Sequence, residues 1–83
     1  MNKRKLLAKA LTGSKNLRFT EAVRLAKAFG FQLSRVRGSH HVVVHPTLRK
    51  LVNLQEVGGK AKPYQVRQLI DLVERYNLQL DGE

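Results

Sequence analysis

Nine residues constrain this chain more than any others: Gly38-Ser39-His40-His41-Val42-Val43-Val44-His45-Pro46. An unbroken β-branched run favours extended backbone, because side chains forked at Cβ crowd a helix and pack well on a pleated surface. A Gly-Ser pair opens the run and a proline stops it, so His40 to His45 reads as a strand entered through a tight turn. Upstream, Phe31 to Arg37 reads as another strand. Phe31 and Leu33 share one of its faces, Gln32 and Ser34 the other. The alternation breaks at Val36, which marks a bulge or a change of face. The short connection at Gly38-Ser39 makes the two strands an antiparallel hairpin.

Helical periodicity brackets the hairpin. Phe19, Ala22, Val23, Ala26 and Phe29 recur at three- and four-residue steps and predict a helix over 19–28, with Arg24 and Lys27 off the apolar stripe. Thr20 is the expected N-cap, Glu21 complements the helix dipole, and Gly30 ends the helix. After a loop at 46–50, Leu51 to Gln55 reads as a third short strand. Residues 56–62 read as a flexible, basic connection. Pro63 suits the first position of a second helix running to about Tyr76, with Val66, Leu69, Ile70, Val73 and Tyr76 as its stripe. Asn77 is the expected left-handed stop, after which Leu78 and Leu80 fold back on the core. At the other end, residues 1–11 read as a short basic helix or arm with Leu6, Leu7, Ala10 and Leu11 on one side. Thr12 to Asn16 then breaks it.

The predicted class is α+β, in the order α-β-β-β-α: a three-stranded antiparallel sheet with two helices on one face, plus the N-terminal helix or arm. The arm takes residues 1–18 and the domain residues 19–83. Eighty-three residues with 42% apolar content support one small domain with a modest core.

Charge is the strongest bulk signal, +10 at pH 7, and it is lopsided. Residues 1–50 hold twelve Lys and Arg against one acid, Glu21, a net of +11, whereas residues 51–83 hold four against five acids, a net of −1. A basic half points to a polyanion, most simply nucleic acid, because neutralised phosphates release counterions. There is no cysteine, which excludes disulfides and thiolate chemistry and fits a reducing cytoplasm. No apolar run approaches the roughly 20 residues that span a bilayer, and no apolar core follows the charged N-terminus as in a secretory signal. The three histidines do not form a metal site. His40 and His41 point to opposite faces, and His41 and His45 lie roughly 13 Å apart along a strand.

Asn16-Leu17-Arg18-Phe19, Phe29-Gly30-Phe31, Arg35-Val36-Arg37-Gly38-Ser39-His40-His41 and His45-Pro46 together resemble the HicA family of bacterial toxins. Pro63-Tyr64-Gln65-Val66-Arg67-Gln68-Leu69 is similar to that family's closing helix. The resemblance implies a fold like a double-stranded RNA-binding domain. It also implies a metal-independent endoribonuclease that cleaves messenger RNA without a cofactor, and a HicB-type antitoxin that blocks the active site. The toxin would be a cytoplasmic monomer when free and part of a hetero-oligomer with its antitoxin. The family's catalytic histidine follows the Gly-Ser pair and maps onto His40. Many members carry a histidine before a Gly-Gly-Lys run; here that place reads Val57-Gly58-Gly59-Lys60, so any role of that histidine is lost.

The residue chemistry agrees with this outline. RNA cleavage through the 2′-OH needs a base, and histidine titrates near working pH. It also needs cations against the charge that builds on phosphorus. His40 with Arg35 and Arg37 offers both. Ser39 can contact a phosphate, and Lys60 and Lys62 stand where a helix N-terminus also favours an anion. By spacing alone a strand histidine is more often a half-buried polar residue than a catalyst, and the resemblance reverses that for His40. His41 and His45, on the opposite face, remain structural, with His41 the fallback should a bulge at Ser39 swap the faces. Tyr64 is the aromatic able to face RNA. The competing reading is a non-catalytic RNA-binding module using the same basic surface. Periodicity leaves open which face of the second strand is exposed.

Overall fold

The computed structural model describes residues 3–13 and 17–80. The helix and strands run in the order α1 (Lys3–Gly13), α2 (Phe19–Ala28), β1 (Gln32–Arg37), β2 (His40–His45), β3 (Lys50–Val57), β4 (Lys60–Ala61) and α3 (Pro63–Arg75). All strand pairs are antiparallel, in the spatial order β1-β2-β3-β4. The α-β-β-β-α order and the two-layer packing expected from the sequence are present. The start of the predicted first helix, and Ser14 to Asn16 of the predicted breaker, lie outside the described residues.

The hairpin turns at Gly38-Ser39, with Arg37 paired to His40. Gly38 has φ +59°, a conformation free of penalty only for glycine. The bulge sits between Leu33 and Arg35, where Leu33 pairs with Val43 and Arg35 with Val42. Ser34 is therefore the extra residue, and no bulge occurs at Ser39. This placement re-phases β1: Gln32, Arg35 and Arg37 share one face, Leu33 and Val36 the other.

A fourth strand appears where the sequence reads as a flexible connection. Lys60 and Ala61 pair back onto Val57 and Glu56. The two-residue turn Gly58-Gly59, with φ +59° and +79°, has positive φ at both centres, the pattern whose twist matches a hairpin. Polar and glycine content hid a strand of only two residues.

One face of the sheet packs on the helices. Val43, Val52 and Leu54 join Phe19, Ala22, Leu25 and Ala26 of α2 and Val66, Leu69, Ile70 and Val73 of α3 in a single core. Fully burying one of the larger of these side chains, Val, Leu, Ile or Phe, contributes roughly 1.5–3 kcal/mol. Leu6 and Ala10 of α1 belong to the same core, while Leu11, on the same expected stripe, stays exposed. Leu78 and Leu80 pack against the core, and Asn77 takes φ +50° as the left-handed stop.

The N-cap of α2 is Arg18, in extended conformation, in place of Thr20. Glu21 decides this: its Oε1 accepts the Arg18 backbone N–H at 3.0 Å, one half of a capping box. The same oxygen accepts Lys9 Nζ at 2.7 Å, tying α1 to α2. The Lys9 hydrogen bond, helped by the Arg18 N–H, holds the Glu21 carboxyl below the usual carboxylate range. Among the described residues no helix is long and apolar enough to cross a membrane.

Candidate active site

Burial of Val43 settles the face that periodicity left open. His41, Val43 and His45 point to the core; His40, Val42 and Val44 point to the uncovered face. The strand register then builds that face row by row. Arg37, His40 and Gln55 lie abreast, followed by Arg35, Val42 and Asn53, and then by Gln32, Val44 and Leu51. The first two rows surround a shallow depression of about 180 Å³ lined by Arg35, Arg37, His40, Val42 and Asn53. No acid lines it, so its field is that of two guanidinium groups beside one imidazole.

His40 is exposed and lines the depression. Its backbone is fixed on two sides, against Arg37 and against Gln55. Gln65, the one buried polar side chain among the described residues, locks the far side. Its Oε1 accepts the Gln55 N–H at 2.7 Å from inside α3. The Ser39 carbonyl accepts the Glu56 N–H at 3.1 Å, so the turn before His40 is tied to β3 as well.

The other two histidines have different surroundings. His41 meets Phe19 edge to face, ring centroids 4.7 Å apart, and its buried Nδ1 has no partner among the described residues. His45 meets Phe31 in the same way at 5.3 Å. Its Nδ1 accepts the Leu48 N–H at 3.3 Å, which leaves the proton on Nε2 when the ring is neutral. Both rings are part of the packing between sheet and helices.

The expected site residues are brought together only in part. His40, Arg35 and Arg37 share the depression. Ser39 is exposed in the turn, outside it. Lys60 is exposed on β4, opposite Val57 and two residues beyond the Gln55 that faces His40, so it stands toward the same end of the sheet. Lys62 precedes α3, half-buried, with Nζ 5.9 Å above the Tyr64 ring. Tyr64 is half exposed, and its hydroxyl accepts a hydrogen bond from Gln65 Nε2 at 3.3 Å. Asn53 escaped the sequence reading. A signal existed: asparagine is depleted in strands, yet this one sits between Val52 and Leu54, both buried.

Among the described residues no group of three or more His, Cys, Asp or Glu is placed to hold a metal ion. The family described as the HicA toxin of bacterial toxin–antitoxin systems matches residues 19–74, which span α2 to nearly the end of α3. No curated protein matches the chain. No solved structure matches it either.

Proposed function

This chain belongs to the HicA toxin family of bacterial toxin–antitoxin systems, and from that premise we propose that it is an endoribonuclease that cleaves messenger RNA with His40 and without a metal. The observation that carries the reading is the shared depression: His40, Arg35 and Arg37 on the uncovered face, with no acid among them. The hairpin register supports it, since Arg37 pairs with His40 and Arg35 with Val42, which sets both arginines on the side of His40.

In the proposed step the neutral His40 imidazole takes the proton of a ribose 2′-OH. The freed oxygen attacks the adjacent phosphorus and the bond to O5′ breaks, leaving a 2′,3′-cyclic phosphate. Water protonates the departing O5′. Arg35 and Arg37 oppose the charge that develops on the phosphoryl oxygens. Ser39, Lys60 and Lys62 at the same end of the sheet hold the RNA backbone. The net charge of +10 draws the polyanion to the protein. A HicB-type antitoxin neutralises the toxin by covering the uncovered face, making a hetero-oligomer from a free monomer. The cytoplasm, where messenger RNA is found, is the compartment.

His40→Ala is the test. Position 40 is exposed, so the variant retains fold and RNA binding, and cleavage falls by about 10²–10⁴-fold, the usual contribution of a positioned acid–base group. Undiminished cleavage by His40→Ala removes the assignment. A parent protein that binds RNA and leaves it intact is instead a binding module.

A further inference from the structure

The described site uses the cations and the imidazole of the depression and leaves its other two lining residues, Val42 and Asn53, unassigned. We propose that Asn53 is a base-recognition residue, reading the edge of one nucleobase of single-stranded RNA laid across the uncovered sheet face. The proposal rests on the reading of that face as the RNA-cleaving surface.

Three observations carry it. Asn53 pairs with Val42 and lines the same depression as His40, Arg35 and Arg37, so a group that it holds lies beside the reacting phosphate. Its side chain is exposed between two buried neighbours, and among the described residues its amide has no hydrogen-bonding partner. Both amide donors and both acceptor sites are therefore open to a ligand. Beside it, Val42 and Val44 are half-buried and Leu51 is 62% exposed. They form an apolar floor that continues the depression away from the arginines, suited to the flat face of a base.

The division of labour follows from chemistry. Guanidinium groups suit phosphate. An amide, with a donor and an acceptor side by side, suits the adjacent donor and acceptor on a base edge. At about 180 Å³ the depression is smaller than the roughly 300 Å³ at which enclosing ligand pockets begin. It accommodates a base edge presented from a strand lying over it. Bases are available in this way only in unpaired RNA, because a duplex turns their edges inward or into grooves.

The experiment uses the full chain and labelled octamers of 2′-O-methyl A, C, U and alternating G and U. These cannot be cleaved through the 2′-OH whether or not the protein is a nuclease. The parent is expected to bind one of the four at least about fivefold more tightly than the weakest, the low end of a good amide–base contact. Asn53→Ala and the strand-favouring Asn53→Thr should bring the four affinities within about twofold of one another. Arg35→Ala should weaken all four alike and reduce the salt slope by about one, as a phosphate contact does. Asn53 variants that keep the parent's ratios overturn the proposal. So do variants that weaken all four equally, and so does a parent without preference. If preference is lost in the Asn53 variants while His40→Ala cleaves undiminished, the base contact stands and the assignment of His40 as the catalytic base falls. The reverse pair of results removes only the base contact.

Discussion

Gly30 joins α2 to β1, and replacing it by alanine tests two physical terms at once. The helix ends in a Schellman motif: the Phe31 N–H reaches the Ala26 carbonyl at 3.0 Å, and the Gly30 N–H reaches that of Lys27 at 3.0 Å. This closure requires positive φ at position 30, and Gly30 has φ +94°. An alanine there meets the left-handed penalty of about 1–2 kcal/mol. The second term is contact. A Cβ on Gly30 lies 3.0 Å from His45 Nε2, closer than ordinary van der Waals packing allows. The ring cannot retreat freely, because Leu48 N–H holds its Nδ1 and Phe31 packs on its edge. Displacing a packed ring by a few tenths of an ångström adds about 1 kcal/mol, at the lower end of overpacking costs. Gly30→Ala is therefore expected to lose about 2–3 kcal/mol. For a domain of this size that lowers Tm by roughly 8–24 °C. Urea denaturation followed by circular dichroism measures it, with an unchanged m-value as the check that compactness is preserved. A cycle with His45→Ala separates the terms: the contact part disappears in the double variant and the backbone part remains. A Gly30→Ala protein within 0.5 kcal/mol of its parent would refute the reasoning.

Substitutions at two further positions test particular hydrogen bonds, and the His40 and Asn53 substitutions described above test the site. Gln65→Leu removes the acceptor of the Gln55 N–H, and leaving that donor unpaired costs about 1–3 kcal/mol. Gln65→Glu retains an acceptor at this position, so a Gln65→Leu protein as stable as its parent in thermal melts would deny the lock. Glu21→Gln keeps an acceptor for the Arg18 N–H and loses the charge facing Lys9, a loss of about 0.5–1 kcal/mol at pH 7. Because the folded-state pKa of Glu21 lies below its ordinary value of 4.5, its contribution is present above that value and fades as pH falls through the lower folded-state value. Stability curves of parent and Glu21→Gln should therefore converge as pH falls below 4.5; a gap that stays constant with pH contradicts the ion pair.

Much of the candidate site was legible because strand geometry is strict. A period of two places His40 and His41 on opposite faces whatever the rest of the chain does, and a two-residue turn pairs Arg37 with His40. The helix α2 was readable to its ends because its stripe and Gly30 agree. Its N-cap was misread because a glutamate three residues inside the helix competes with a threonine hydroxyl, and only the backbone path shows which one closes the turn. The strand β4 was missed because two residues carry no periodicity.

What the sequence by itself determined is the hairpin, the separation of its histidines and the concentration of positive charge in the first fifty residues. These depend on local backbone preference and on counting, neither of which requires a partner element. Tertiary structure alone decided which side of β2 is covered, since both faces carry valine and only the packing of α2 and α3 on Val43, Val52 and Leu54 breaks that tie. It also decided the phase of β1. Leu33 and Arg35 have the same parity in sequence, and the extra residue at Ser34 places them on opposite faces. Arg35 and Arg37 share the uncovered face with His40 and Asn53, a meeting of residues from three strands that no single segment encodes.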